Sequence, residues 1–357
     1  MTTRQAEGYD IPAVEAWIAA NVKGLEPPFQ WTRLQGGHSN LTYALEDVGG
    51  RRAVIRRPPQ GELLPRAHDM SREWALISAL GPTAVPVPEA LAFCESPEVT
   101  GAWFYLMSLV EDARPLYSAA DTRAWVAADA RTRLAHSFID VLAELHCLEP
   151  DELGLGELGR KEGYVARQLQ TWYRSWTASQ EAAGFDDPRA HQMQRFFLDN
   201  QPQQGPARIV HGDYGLHNCL VGADGAVAAV VDWEISTLGD PLADLAYALN
   251  PWPDPADAVA VDPEAATGGG GFPPRSELAQ RYARRTGADL AQLDYYVGFN
   301  GWKTAAILQG VYARYRQGKK SAQDADLDLL RRRIVEALDF AERAVNRLTG
   351  GDAGKHG

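Results

Sequence analysis

The stretch that most limits what this chain can fold into lies between Arg208 and Ala248. It reads Ile209-Val210-His211-Gly212-Asp213-Tyr214-Gly215-Leu216-His217-Asn218, then Val230-Val231-Asp232-Trp233-Glu234. Gly222-Ala223-Asp224-Gly225 forms a turn before an apolar run over 226–231, so 208–233 reads as a β-turn-β element. Asp213 and Asn218 stand five residues apart, and Asp232 ends the apolar strand. Any one of these residues alone would be read as a turn or cap residue. The spacing, the hairpin and Asp-Trp-Glu together are far more specific than their parts. A zinc site built from His211, His217 and Cys219 fails, because the three crowd one short loop with no fourth ligand nearby.

Composition narrows the class of protein. The chain has 357 residues with Lys+Arg 35 against Asp+Glu 47, a formal net charge of −12. Such an acidic balance argues against retention on nucleic acid or an anionic membrane by the overall field. The three cysteines, Cys94, Cys147 and Cys219, form no C-x-x-C pair, which points away from disulfides and toward a reducing compartment. The N-terminal residues lack the apolar core of a secretory signal, and the longest apolar stretch, 102–110, is half a membrane span. A cytoplasmic protein without membrane insertion is therefore expected.

Along the chain, the first hundred residues read as strands over 29–35, 41–46 and 52–56, a helix over about 67–80, then strands over 90–94 and 103–109. Helices dominate after Ser118, at 122–148, 164–183, 295–317 and about 324–347. The fold class expected is α+β, with a small β-rich N-lobe over 1–108 and a larger, mainly helical C-lobe over 109–349. Residues 350–357 read as a disordered tail, and the proline- and glycine-rich segment 251–275 as a long flexible loop. Gly154-Leu155-Gly156-Glu157-Leu158-Gly159 matches a dinucleotide fingerprint by letter only, since it follows a helix and not a strand.

The Asp213–Asn218 spacing is that of the kinase catalytic loop, H-x-D-x-x-x-x-N. In that loop the Asp accepts the proton of the acceptor hydroxyl. The Asn and a second Asp, on the next hairpin, hold the metal ions that neutralise the phosphates. Asp232 has the right place for that second Asp, and hard oxygen donors suit Mg²⁺ and not zinc.

With these motifs and the following Gly239-Asp240-Pro241-Leu242-Ala243-Asp244-Leu245-Ala246, the sequence resembles the aminoglycoside phosphotransferase family. The segments Ala53-Val54-Ile55-Arg56-Arg57-Pro58-Pro59 and Ala305-Ala306-Ile307-Leu308-Gln309-Gly310-Val311 are closest to the branch found with acyl-CoA dehydrogenases. The resemblance implies a two-lobed protein-kinase-like fold that uses ATP and Mg²⁺, with Asp213 as base and Asn218 and Asp232 on the metal. It places Gly36, Gly37, Ser39 and Asn40 in a phosphate-covering loop. Arg56 stands where a strand lysine is usual, with Glu73 as its ion-pair partner. Met107 would face the adenine, and backbone groups of Ser108 and Val110 would hydrogen-bond it. Asp244 would brace the catalytic loop.

The activity implied is phosphorylation of a hydroxyl on a small molecule. A nucleotide-binding pseudokinase and a protein kinase compete with it. The complete Asp213/Asn218/Asp232 set opposes the first, and the lack of an A-P-E segment after Asp232 opposes the second. For the acceptor, an aminoglycoside competes with a hydroxyacyl compound. The substrate-side helices carry Arg167, Arg174, Lys303, Arg314 and Arg316 against Glu181 alone, which favours an anionic, partly apolar acceptor. The oligomeric state is not readable.

Overall fold

Residues 6–34, 40–60, 69–255, 262–318 and 326–350 are described by a computed structural model. The strand period of two organises its first lobe. Strands β1 (Gln30–Arg33), β2 (Leu41–Glu46), β3 (Arg52–Arg57), β4 (Ala90–Cys94) and β5 (Phe104–Ser108) form one antiparallel sheet in the order β1-β2-β3-β5-β4. Alternate residues face opposite sides. Ala53, Ile55, Phe104 and Leu106 pack on α1 (Ile11–Asn21) through Val14 and Ile18. Val54, Tyr105 and Met107 pack on α2 (Met70–Leu80) through Leu76 and Ile77. Arg56 therefore lies on the α2 side, in register with Tyr105.

Helix α1 is absent from the sequence reading. Asp10 caps it and Ile11, Val14 and Ile18 form its buried stripe, but alanines on the other faces blur the contrast that marks an amphipathic helix. Helix α2 starts at Met70, capped by Asp69, three residues later than expected.

The second lobe departs from expectation in three places. The single helix expected over 122–148 is broken into α3 (Ala119–Trp125), a 3₁₀ turn (Ala128–Ala130) and α4 (Arg131–Cys147). Trp125 Nε1 donates to the Val221 carbonyl at 2.7 Å, and Val126 is fully buried with extended backbone. Tertiary packing thus overrides helix propensity there. Two helices were not foreseen, α6 (Pro188–Asp199) and α8 (Arg275–Thr286). The described parts of 251–275 are pinned, contrary to a flexible loop. Thr122 Oγ1 donates to the Ala266 carbonyl at 2.8 Å, and Arg131 Nη1 donates to the carbonyls of Gly269 and Gly270. Of the expected tail, 351–357 lies outside the described residues.

Helices α5 (Tyr164–Ala183), α9 (Leu293–Arg316) and α10 (Leu327–Leu348) pack around a core of Trp176, Tyr295, Tyr296, Phe299 and Trp302. A second core runs through both lobes, from Met107 and Leu76 to Leu142, Val230 and Trp233. Short strands complete the lobe. β7 (Arg208–Val210) pairs with β10 (Thr237–Gly239), and β8 (Cys219–Gly222) lies between β6 (Ala113–Arg114) and β9 (Val227–Val230). The hairpin turn thus joins β8 to β9, while β7 belongs to a separate sheet. No helix among the described residues is long and apolar enough to cross a membrane.

Gly225 sets the β8–β9 hairpin against α4. Its φ is +83°, and a Cβ there would lie 2.6 Å from the Ala130 carbonyl oxygen. At Gly50, φ +79°, a Cβ would have nothing within 4 Å among the described residues. Gly50→Ala should cost about 1–2 kcal/mol for its backbone angle alone. Gly225→Ala should cost clearly more, because the Ala130 backbone must also move. Urea unfolding of both variants checks this ordering.

Candidate active site

The chain leaves β7 at Val210 and enters a loop held by one buried carboxylate. Asp244 lies on α7 (Pro241–Leu249), which Asp240 caps by accepting from Leu242 N at 3.0 Å. Asp244 Oδ2 accepts from His211 N at 2.7 Å, and Oδ1 accepts from Gly212 N at 2.9 Å. His146 Nε2 stands 3.3 Å from Asp244 Oδ2, and its Nδ1 meets the Tyr282 hydroxyl at 2.7 Å. Burial works against the Asp244 carboxylate. His146 and the backbone donor more than offset it and hold the carboxyl below its usual range.

The loop then presents Asp213, partly open to solvent. Asn218 Nδ2 donates to the Asp213 carbonyl at 2.9 Å and to Oδ2 at 3.2 Å. The Tyr247 hydroxyl donates to Oδ1, and His217 Nε2 stands 3.4 Å from Oδ2. Burial raises the Asp213 carboxyl, but His217 and Tyr247 outweigh it and keep it below the ordinary carboxylate range. Asn218 thus turns its NH₂ to Asp213, and among the described residues no donor reaches its amide oxygen, which could face a cation. Val231 N donates to the Asn218 carbonyl at 2.9 Å, so the hairpin sets Asn218 and Asp232 at the same end. Asp232 has a φ of +67°, a left-handed backbone that non-glycine residues adopt mainly where surrounding structure enforces it.

Arg56 crosses to Asp232 from the other lobe. Its Nη2 is 2.5 Å from Asp232 Oδ1 and 3.9 Å from Glu234 Oε2, and its Nε is 3.1 Å from Glu73 Oε2. That last contact is an ion pair without hydrogen-bond alignment, since among the described residues the Nε–H finds no acceptor. Glu73 also accepts from the Tyr105 hydroxyl at 2.9 Å and from Asn40 Nδ2 at 3.2 Å. Burial opposes the Arg56 charge, but Glu73, Asp232 and Glu234 hold the guanidinium ionised. Burial dominates at Glu73 and raises its carboxyl in spite of Arg56. Carboxylate oxygens of Glu73, Asp232 and Glu234 lie within 4.8 Å of one another. These carboxylates are hard oxygen donors, the kind that Mg²⁺ prefers, and in this structure the Arg56 guanidinium is their counter-charge.

The sequence-expected residues thus fall into two bonded groups, Asp213 with Asn218, and Arg56 with Glu73 and Asp232. Asn40 joins the second group, its side chain donating to Glu73 and, at 3.1 Å, to Glu234. Gly36, Gly37 and Ser39 lie outside the described residues. Met107, nearly buried, ends the inner face of β5. Ser108 N already donates to the Glu89 carbonyl at 2.9 Å, so an adenine could use only its carbonyl. Val110 is half-buried on the connection between the lobes. Sequence reasoning missed Tyr247, Glu234 and the ion pair between Arg56 and Asp232. Tyr247 is three residues past Asp244 on one helix face, a spacing that could have revealed it.

The phosphotransferase enzyme family model matches residues 30–296. Acyl-CoA dehydrogenase family member 11 of Rattus norvegicus is 32% identical over 335 residues, spanning 89% of this chain and 41% of the relative. Its Gallus gallus counterpart is 35% identical over 296 residues, spanning 81% and 37%. The chain therefore spans about two-fifths of the length of these relatives. Among solved structures, a Ralstonia eutropha protein provisionally named an aminoglycoside phosphotransferase is 29% identical, covering 94% of this chain and 99% of that one, with a TM-score of 0.77. Choline kinase from Cryptosporidium parvum shares the fold, with a TM-score of 0.64 at 12% identity, covering 95% and 97%.

Asp244→Asn would turn an amide NH₂ toward the His211 or Gly212 N–H and leave a buried donor unpaired. It should destabilise the protein by about 1–3 kcal/mol. Because the folded carboxyl titrates below its unfolded value, the native contribution is present at neutral pH. It should fade as pH falls through the folded value. Denaturant unfolding of both proteins at neutral and acid pH measures the gap, which should narrow toward acid.

Proposed function

The chain belongs to the phosphotransferase enzyme family, and we propose that it is an ATP-dependent small-molecule kinase that moves the γ-phosphate to a hydroxyl. The observation that carries this reading is the pairing of Asp213 with Asn218 beside the Arg56–Glu73–Asp232 cluster. We take the lobes to divide after Ser108, with the nucleotide between them. Asp213 orients the acceptor hydroxyl and takes its proton, and it is ionised at neutral pH because its carboxyl is held low. Asn218 and Asp232 hold Mg²⁺, which would neutralise phosphate charge. Arg56, steadied by Glu73, binds the phosphates, where a guanidinium can grip two oxygens at once. Gly36, Gly37, Ser39 and Asn40 cover the phosphates, and Met107, Ser108 and Val110 line the adenine. The acceptor we favour is a hydroxyacyl compound, because the relatives carry the name acyl-CoA dehydrogenase and the substrate-side helices carry few acids. An aminoglycoside, a polycation, would need several carboxylates around it.

Transfer of labelled γ-phosphate from ATP to a panel of hydroxy acids, hydroxyacyl thioesters and aminoglycosides tests the reading. Turnover of an acyl compound supports it, and no transfer to any hydroxyl refutes it. In the same assay Asp213→Asn should lower kcat by at least about a hundredfold with Mg-ATP binding little changed. Asp232→Ala should instead abolish the Mg²⁺-dependent part of nucleotide binding, read by calorimetry with and without Mg²⁺.

The pH profile gives a separate check. Tyr247 donates to Asp213 and so keeps its carboxyl low. Tyr247→Phe removes that bond, and the acid limb of the kcat profile should move to higher pH. An unmoved limb would mean that another group sets it.

A further inference from the structure

One buried charge has no task in the mechanism above. Lys303 lies midway along α9 and is 7% exposed. Among the described residues no carboxylate comes within ion-pair distance of its ammonium, although burying an unpaired ammonium is costly and lysine is almost never found so. Its Nζ stands over the Tyr247 ring, 5.3 Å from the centroid, and the Tyr247 hydroxyl donates to Asp213. A single ring therefore separates the ammonium from the proposed base. Burial draws the Lys303 ammonium down, while Asp244 and Asp213 support it.

The other basic residues of these helices are spent elsewhere. Arg167 donates to the carbonyls of Arg160 and Glu162, and Arg316 to that of Ala183. Arg174 and Arg314 are exposed. The acid of α9, Asp294, pairs with Arg347 at the helix start. The aromatics Trp176, Tyr295, Tyr296, Phe299 and Trp302 are core and bring no stacking surface for a ligand. Lys303 alone among these charges is turned inward, beside the catalytic loop.

We propose that Lys303 determines acceptor specificity by receiving a carboxylate or acyl carbonyl oxygen of the molecule whose hydroxyl lies at Asp213. The assignment rests on the kinase reading and deepens it. An ammonium beside the acceptor attracts such an oxygen and repels a cationic acceptor. Tyr247 serves both ends of the arrangement, its ring under the ammonium and its hydroxyl on the base.

The test uses the full chain, with Lys303→Met and Lys303→Arg. Three acceptors of one carbon length are compared: a medium-chain hydroxy acid, its thioester, and the matching diol, which has no acyl oxygen. Lys303→Met should raise KM for the acid and the thioester by about tenfold or more, with KM for ATP and for the diol moving less than about twofold. Lys303→Arg should recover most of the loss. Equal losses on the diol and the acyl acceptors, or a wild-type preference for neutral or cationic acceptors, would overturn the proposal. If Lys303→Met melts early, Lys303→Gln in the same comparison decides. Absence of phosphate transfer with every acceptor would strike the kinase reading instead. Calorimetric binding of the hydroxy acid would then decide Lys303, supporting it if Lys303→Met weakens binding and overturning it otherwise.

Discussion

Asp244 carries more of this architecture than its distance from any reacting atom suggests. Its two oxygens take the backbone N–H groups of His211 and Gly212, and those residues set where Asp213 stands. A carboxylate with under a twentieth of its surface exposed is tolerable only when several donors converge on it. His146 supplies another, and is itself tied to Tyr282 on α8. The loop is thus fixed by helices α4, α7 and α8 together. A base that must meet a hydroxyl within hydrogen-bond reach needs that kind of support.

The second constraint joins the lobes. Arg72 on α2 donates to the carbonyls of Leu158 at 3.0 Å and Ser236 at 2.6 Å, and Val230 N donates to the Pro86 carbonyl at 2.8 Å. Arg56 adds a charged link to Asp232. The groups that would meet a phosphate and a metal thus come from both lobes but share one hydrogen-bonded cluster. Their relative positions then follow from packing and not from loop conformation.

Much of this was legible in the sequence because it is written locally. Asp213 and Asn218 sit on one loop and Asp232 at the end of the next strand, so spacing alone relates them. Arg56 with Glu73 needed the resemblance as well, since one lies on a strand and the other on a helix. Tyr247 and Lys303 were not assigned because they meet the loop from α7 and α9, and which face of a helix turns inward depends on packing. The aromatics Trp176, Tyr295, Tyr296, Phe299 and Trp302 fit pocket or core by pattern, and only their burial decides for core. The break at Val126 likewise depends on a bond from Trp125 to a strand far along the chain.

The strict alternation along β3 has a consequence for how this lobe can change in length. Val54 and Arg56 face α2, while Ala53 and Ile55 face α1. A slip of one residue would send every side chain to the opposite face. The Arg56 guanidinium would turn toward the α1 face, and its place among Glu73, Asp232 and Glu234 would pass to Ile55 or, for a slip the other way, to Arg57. The strand therefore obeys a parity rule, in which an odd insertion or deletion within it exchanges the side chains offered to α1 and to α2. A change confined to the exposed Gly49-Gly50 turn leaves the parity of β3 intact. Variation in length among chains built on this plan should accordingly collect in that turn and avoid the strand.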